Sequence, residues 1–297
     1  MLFYPSKVNN GLNRQPYLPE RQCGRVMLNP NYPVRLAAPV PAMCDSGAFQ
    51  DIDKHQRLLP WTALERQLAF ERRVSADLPG DWHFEAIVTY DQMLGVDEQI
   101  VDGKKIKQRG NENTARPAIA ETLQAARYYS RQRHRVQGAL CFAAQGATPR
   151  QYVSECVIPL LDVMAPGDWF AFGGFCIIGR VPSLKPVFAE TARAVLPLLR
   201  RKGIRRAHLL GIGVTDMVRL AAELGRQEGI VMSTDTSSIE VNSILGKVFD
   251  GARWHYRYTK AQKGTAYHPC ELAHANLLYY DAFCASLAGR QLERTAA

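Results

Sequence analysis

Short, unbroken apolar runs alternate with helical patterns along most of this chain, and this alternation restricts the fold more than any other feature. The runs that predict strands lie at 84–90, 139–144, 169–172, 206–210 and 230–232, with one more ahead of residue 45 and a candidate at 254–258. Apolar runs joined through helices by short connections are typical of parallel strands covered on both faces. Six or seven such strands in 297 residues favour a closed (β/α)8 barrel, a TIM-type α/β fold in a single domain, over an open sheet.

The domain boundaries follow from where this alternation begins and ends. Residues 36–290 are assigned to the barrel. Residues 1–35 contain many Pro, Asn and Arg residues and little periodicity, so we expect an irregular N-terminal segment that packs on the barrel. Residues 291–297 are assigned to a C-terminal tail.

End signals and periodicity place several helices. Thr148 followed by Pro149 predicts a helix start. The Thr hydroxyl can cap the first turn, and the N–H that Pro lacks would have no helical acceptor at this position. Apolar residues at 1-4-5-8 spacing between 152 and 164 predict one buried face, which Pro159 is expected to kink. Further helices are expected at 114–133, 188–202 with Gly203 as its terminator, 216–227 and 271–287.

Polar residues and glycines follow nearly every predicted strand. They are Asp45, Asp91, Gln145, Gly173 and Gly174, Gly211 and Gly213, and Asp235. The carboxyl ends of barrel strands converge on one face, where active sites are built, so we expect these residues to line one pocket. The local alternative for Asp45, which precedes Ser46-Gly47, is a turn in which its side chain caps backbone N–H groups.

Charge and cysteine content narrow the class of protein. The net charge is +9, which favours an anionic partner, nucleic acid first. The seven cysteines are odd in number and form no Cys-x-x-Cys, as expected for reduced thiols in a cytoplasmic protein. The apolar run at 169–178 is too short to cross a bilayer, so no membrane association is expected.

Five short motifs occur in order at the predicted strand ends. They are Asp-Ser-Gly-Ala-Phe-Gln at 45–50, Gln145-Gly146, Gly173-Gly174, His-Leu-Leu-Gly-Ile-Gly at 208–213 and Asp-Thr-Ser-Ser at 235–238. Together, over roughly residues 40–285, they resemble the tRNA-guanine transglycosylase superfamily, and most of all its branch that modifies DNA. Members of that superfamily are (β/α)8 barrels that exchange a guanine in nucleic acid for a 7-deazaguanine base.

The resemblance implies a role for each matching residue. Asp235 would be the nucleophile that attacks C1′ of the sugar and forms a covalent aspartyl-glycosyl intermediate. Asp45 would be the general acid/base for the departing and the incoming base. The set implied for base binding is Asp91, Gln145, Gly173, Gly174, Phe49 and Ser46, with Phe49 stacking near the base.

A nucleotide must leave its base stack to reach such a site, so we expect a basic rim that holds phosphates. Candidates for contacts with the nucleic-acid backbone are Lys104, Lys105, Lys107, Arg109 and Lys260. For any one of them, an ordinary solvated charge is the simpler alternative.

Metal ligands are where the chain departs from the family. Typical members hold a structural zinc with a Cys-x-Cys-x-x-Cys run and a later His, and no such run occurs here. His268, Cys270 and His274 would supply at most three ligands, fewer than closed structural sites use. We therefore expect a reduced or lost zinc subdomain and no cofactor, with a three-ligand zinc site as the less favoured alternative.

DNA is the favoured partner, with a 7-deazaguanine of the preQ0 type as the incoming base. The chain is compact, and it lacks the zinc subdomain that lies near the tRNA in typical members. The alternatives are the same exchange on tRNA and a non-catalytic nucleic-acid-binding paralogue, although the presence of both Asp45 and Asp235 argues against the second. An unrelated barrel glycosidase would be expected to show more Trp at its strand ends. The sequence leaves open whether the chain works alone or as a homodimer.

Overall fold

The computed structural model describes residues 1–7, 18–32, 34–53, 57–92, 94, 96–101, 104–179, 181–259, 262–264 and 266–289. The strands are β1 Leu2–Lys7, β2 Val26–Leu28, β3 Ala42–Cys44, β4 Ala86–Val88, β5 Val96–Val101, β6 Lys104–Arg109, β7 Ala139–Ala144, β8 Trp169–Phe172, β9 Arg206–Leu209, β10 Val231–Thr236, β11 Lys247–Phe249 and β12 Trp254–Tyr256. Eight of them form a closed parallel barrel in the order β1-β10-β9-β8-β7-β4-β3-β2. The chain is thus a single α/β domain of TIM type, which confirms the predicted fold class.

Helices surround the barrel. They are α1 Pro19–Cys23, α2 Ala48–Asp53, α3 Pro60–Ser75, α4 Glu112–Arg131, α5 Pro149–Gln151, α6 Ile158–Val163, α7 Leu184–Lys202, α8 Thr215–Gln227, α9 Ser238–Ile244 and α10 Pro269–Gly289. The expected terminator of α7 is confirmed, because Gly203 adopts a left-handed conformation with φ of 82°. Within the described residues, no helix combines the length and apolar character that crossing a membrane requires.

The N-terminal 35 residues are the main correction to the predicted boundaries. They are not an irregular segment packed on the barrel, since β1 and β2 are two of its eight strands. β1 pairs with β10 and closes the barrel, with Tyr4 opposite Asp235. Pro5 and Lys7 interrupt the apolar pattern of β1, and β2 is only three residues long, so neither produced a periodic signal. The predicted tail at 291–297 lies outside the described residues.

Two other segments take different forms from those expected. The candidate strand at 254–258 is β12, which pairs with β11 in an antiparallel hairpin outside the barrel. The expected helix start at Thr148 is confirmed, since its hydroxyl accepts a hydrogen bond from the N–H of Gln151 at 3.2 Å. Beyond it the helix does not simply kink at Pro159. A π-helical segment, Tyr152–Val157, joins α5 to α6, and Pro159 lies in the first turn of α6.

The inside of the barrel changes from apolar to polar along the strands. The buried interior cluster consists of Tyr4, Met27, Met43, Ala86, Val88, Cys141, Ala143, Trp169 and Ala171. Two residues further along their strands come Ser6, Asn29, Asp45 and Gln145, so the two-residue period of a strand carries polar side chains to the carboxyl-terminal mouth.

The amino-terminal end of the barrel is closed by a small polar cluster. The Tyr4 hydroxyl donates to Oε2 of Glu85 at 2.6 Å, and Arg206 forms an ion pair with the same carboxylate. The guanidinium of Arg206 also lies over the Trp169 ring, 4.7 Å from its centre. These contacts link β1, β8 and β9 to the residue that precedes β4 at this end of the barrel.

One helix side chain joins the mouth to the surrounding layer. Gln67 of α3 is fully buried and donates to the backbone carbonyls of Asp45 and Val88, each at 2.9 Å. Its own carbonyl accepts from the Tyr129 hydroxyl at 2.6 Å. Every polar group of this amide is therefore satisfied inside the protein.

We predict that Gln67→Leu lowers the free energy of unfolding by roughly 3 kcal/mol, because it removes a donor to two buried carbonyls and the acceptor of a buried hydroxyl. Urea denaturation followed by circular dichroism measures the change. Thr62→Ala, at an exposed position of the same helix, is the matched control and should change stability by less than about 0.5 kcal/mol. A Gln67→Leu protein as stable as the wild type would show that the network contributes nothing.

Candidate active site

Asp235 lies near the end of β10, where three donors converge on its carboxylate. Oδ1 accepts from the backbone N–H of Gly211 at 2.7 Å and lies 3.1 Å from Nε2 of His208. Oδ2 accepts from the Ser6 hydroxyl at 2.9 Å. Donors of this kind replace water around a buried negative charge and stabilise it. They also leave Oδ2, with only one donor, as the less saturated oxygen.

Asp45 follows β3 and has a different environment. Its Oδ2 accepts from the side-chain amide of Asn29 at 2.6 Å, and its Oδ1 accepts from the backbone N–H of Ser46 at 2.8 Å. Loss of hydration, reinforced by the nearby negative charges of Asp235 and Asp91, raises the pKa of Asp45 to about 7. Near neutral pH this carboxyl group can both donate and accept a proton.

The contact with Ser46 is the local capping turn that was the alternative for Asp45. It involves only one oxygen of the carboxyl group, so the turn and a chemical role are compatible. The raised pKa is the property that a turn alone does not explain.

A third carboxylate, Asp91, lies next to Asp45 in the mouth. It accepts from the Ser46 hydroxyl at 3.0 Å and, through its other oxygen, from the side-chain amide of Gln145. Burial raises the pKa of Asp91, although both of these hydrogen bonds oppose the shift. Asp91, Ser46 and Gln145 therefore form one connected polar group at the ends of β3, β4 and β7.

Gln145 contributes an unsatisfied acceptor. It is 0% exposed, and its Oε1 has no hydrogen-bond partner among the described residues. Such buried acceptors are uncommon, and at a ligand site the expected partner is a donor on the ligand. Gly173 is required beside it, because a Cβ at this position would lie 2.4 Å from Nε2 of Gln145.

The loop that carries Asp45 and Ser46 is held from behind by Arg66 of α3. The guanidinium donates to the carbonyl of Ser46 at 2.7 Å and pairs with Asp51 at 2.8 Å. Gly47, with φ of 74°, makes room for it, since a Cβ there would lie 2.7 Å from the guanidinium. The loop is thus fixed by interactions that do not occupy the mouth.

The structure brings together most of the residues implied for the site, but not all. Asp45, Ser46, Asp91, Gln145, Gly173 and Asp235 lie around one mouth, and Gly174, with φ of 76°, follows directly after Gly173. Phe49 lies on α2 with 54% of its surface exposed. Lys104, Lys105, Lys107 and Arg109 are on β6 of the β5–β6 hairpin, where the backbone alone is described, and Lys260 lies outside the described residues.

The residues considered for zinc have other contacts. His268 Nδ1 accepts from the N–H of Cys270 at 3.3 Å, and His274 Nε2 accepts from the N–H of Leu18 at 3.4 Å. In the described part of the chain, no group of three or more His, Cys, Asp and Glu side chains is arranged to hold a metal ion.

Three residues of the site were not predicted, namely Ser6, Asn29 and His208. Each lies on the inward face of its strand, in phase with an interior residue two positions before it: Tyr4, Met27 and Arg206. His208 was part of a quoted motif but had no role assigned. For His208, the two-residue period along the predicted strand 206–210 is the signal that could have identified its inward side chain. No predicted strand covered the other two.

A separate cleft of about 600 Å³ lies beyond the ends of β7 and β8. It is bounded by residues 110–113, by Ala147 and Thr148, and by Ser183, Leu184 and Val187. None of these residues belongs to the carboxylate group. The cleft is therefore a neighbour of the site and not its floor.

Comparison with known proteins identifies no family for this chain. No protein-family model matches the chain, and no curated protein matches it. Among solved structures, a protein of Coccidioides immitis assigned as a fructose-1,6-biphosphate aldolase is 12% identical, with a TM-score of 0.46. The match covers 96% of this chain and 87% of that one. A similarity of this strength carries no information about the reaction.

We predict that the carboxyl carbon of Asp45 titrates near pH 7, and that Asp235→Asn shifts its midpoint downward. The like charge of Asp235 disfavours ionisation of Asp45, so removing that charge moves the pKa towards the usual range. Carbon-13 NMR of Asp-labelled protein measures the midpoint. The control is Asp162→Asn, which removes an exposed carboxylate and should leave the midpoint of Asp45 in place. A midpoint near pH 4, or one that Asp235→Asn leaves in place, would contradict this electrostatic coupling.

Proposed function

We propose that this protein is a base-exchange transglycosylase that replaces guanine in DNA with a 7-deazaguanine base. The observation that carries the proposal is the asymmetry of the two carboxylates. Asp235 is surrounded by three donors that stabilise its charge, whereas the pKa of Asp45 is raised to about 7. Substitution at a sugar C1′ needs such a pair, one ionised group to bond the carbon and one group to move protons.

The first half of the exchange uses both groups. Oδ2 of Asp235 attacks C1′ of the target nucleotide as the bond from C1′ to N9 of guanine breaks. The electron pair of that bond stays with the base, which takes a proton from the carboxyl group of Asp45. The products of this step are free guanine, ionised Asp45 and a glycosyl ester of Asp235.

The second half reverses these roles for the incoming base. Ionised Asp45 takes the proton from N9 of the 7-deazaguanine, and N9 then attacks C1′. The bond from C1′ to Oδ2 of Asp235 breaks with its electron pair returning to the carboxylate. Both groups are regenerated, so the exchange consumes no water and no energy source.

The polar group beside Asp45 suits a guanine-like base. Guanine presents N–H donors at N1 and N2, and Asp91 and the unsatisfied Oε1 of Gln145 are acceptors. The second hydrogen of the Gln145 amide and backbone N–H groups near Gly174 remain for the acceptor O6. We therefore assign base recognition to Asp91 and Gln145 and leave Phe49, which is exposed, to the rim.

The nucleic acid is assigned from charge and from the resemblance of the five motifs to the transglycosylase superfamily. A net charge of +9 favours a polyanion. DNA is preferred to tRNA because the sequence contains no Cys-x-Cys-x-x-Cys run. A non-catalytic binding protein would have no need for two carboxylates of opposite character in one mouth.

Incorporation of radiolabelled guanine into nucleic acid tests the proposal directly. The protein is incubated with labelled guanine and, separately, with duplex DNA or with tRNA. We expect the label to enter DNA. We also expect it to be released again when an unlabelled 7-deazaguanine of the preQ0 type is added. Label only in tRNA would overturn the choice of substrate, and label in neither would overturn the reaction.

In the same assay, we predict that Asp235→Asn abolishes incorporation and that Asp45→Asn lowers its rate by about 10²- to 10⁴-fold. The first change removes the nucleophile, and the second removes the group that moves the proton. Asp162→Asn makes the same chemical change at an exposed position of α6 and should leave the rate unchanged. Full activity of Asp235→Asn would disprove the assigned nucleophile.

A separate prediction concerns base recognition. Asp91→Asn should raise the KM for the free base by at least about 10-fold, since an amide presents a donor to the donor edge of guanine. Its effect on the rate at saturating base should be smaller. Steady-state kinetics over a range of base concentrations separate the two constants, and an unchanged KM would remove Asp91 from the base site.

A further inference from the structure

His208 is a fully buried histidine at the centre of β9, and it touches the assigned nucleophile. Its Nε2 lies 3.1 Å from Oδ1 of Asp235, and its Nδ1 lies 2.9 Å from the Ser233 hydroxyl. β9 pairs with β10 so that His208 is opposite Ser233, two residues before Asp235. In the proposed exchange this side chain forms no covalent bond and transfers no proton.

The hydrogen bonds restrict where the protons of the imidazole can be. Because a carboxylate oxygen can only accept, Nε2 must carry a hydrogen for its contact with Asp235 to be a hydrogen bond. The Ser233 hydroxyl can then donate to Nδ1, or it can accept from Nδ1 and donate to the carbonyl of Ala207 at 3.3 Å. The first arrangement contains a neutral ring and the second a charged one, and both place Nε2–H against Asp235.

Among the described residues, the ring has no hydrogen-bond partner other than Ser233 and Asp235. His208 is 0% exposed, and the Tyr4 ring meets it edge-on with centres 6.1 Å apart. On its other side, β8 places Ala171 opposite it. A histidine in such a setting needs partners for both nitrogens, and Ser233 and Asp235 are those the structure provides.

We propose that His208 is a positioning residue that, locked by Ser233, holds Oδ1 of Asp235 and turns Oδ2 towards the sugar. The inference rests on the proposed function. In the glycosyl ester, Oδ2 is bonded to C1′ and Oδ1 is a carbonyl oxygen with two lone pairs. The N–H of Gly211 and Nε2–H of His208 occupy both.

The same two donors act when the ester breaks. As the bond from C1′ to Oδ2 lengthens, its electron pair moves onto the carboxylate, and the negative charge spreads to Oδ1. Donors already placed at Oδ1 stabilise this charge without reorganisation, as in an oxyanion hole. His208 therefore contributes through Asp235 and has no contact of its own with the sugar or the base.

Nitrogen-15 NMR of histidine-labelled protein tests the hydrogen-bond arrangement without any substrate. The His208 signals are assigned by their loss in His208→Gln. We expect a protonated Nε2 whose resonance shifts in Asp235→Asn, while Ser233→Ala alters the Nδ1 resonance. A neutral ring with its proton on Nδ1 and a bare Nε2 would overturn the proposal, whether or not the protein exchanges bases.

Kinetics of the exchange separate positioning from packing. His208→Leu fills the space but donates nothing, and we expect it to lower kcat about 10²-fold with the KM for free base within about 3-fold. His208→Gln keeps an N–H near Nε2 and should recover kcat to within about 10-fold of the wild type. His134→Gln, at an exposed histidine, is the control. Equal losses in both His208 variants would indicate packing alone and overturn the proposal.

Failure of the proposed function gives a different pattern from failure of this inference. If the wild-type protein does not exchange bases, the kinetic comparison has no signal, and the NMR result still decides the hydrogen-bond arrangement. If the wild type is active and His208→Leu matches it, base exchange stands and the role of His208 is refuted.

Discussion

The placement of Asp235 depends on closure of the barrel. Its donors come from Ser6 at the end of β1, His208 on β9 and Gly211 after β9, and Ser6 is 229 residues away from it in the chain. Only the pairing of β1 with β10 brings the first of these donors to the carboxylate. Stabilisation of one buried charge thus depends on the pairing that closes the barrel.

The other carboxylates are arranged around this charge. Asp45 and Asp91 lie at the ends of β3 and of β4, and the loss of water that accompanies packing raises the pKa of both. The clamp of Arg66 on the Asp45 loop and the buried amide of Gln67 keep these groups in place from outside the mouth. The carboxyl-terminal end of the interior therefore holds Asp45, which can donate and accept a proton near pH 7, beside the anion of Asp235.

Much of this arrangement follows from local sequence signals. Short, unbroken apolar runs and residues such as Asp91, Gln145 and Asp235 at their ends were sufficient to predict a barrel and one pocket. β1 was missed because Pro5 and Lys7 interrupt its apolar pattern. β2 was missed because three residues are too few to show a periodic pattern. Without those strands, Ser6 and Asn29 could not be recognised as inward-facing. The partners of His208 depend on the register between β9 and β10, which the chain shows only once it is folded.

The most direct test of the central claim is to find the covalent bond. The protein is mixed with a DNA duplex in the absence of free base, denatured at once, and digested for mass spectrometry. We predict a peptide in which Asp235 carries the sugar of a guanine-free nucleotide, and the absence of that adduct in Asp235→Asn. An adduct on another residue, or exchange that proceeds in Asp235→Asn, would contradict the assignment of the nucleophile.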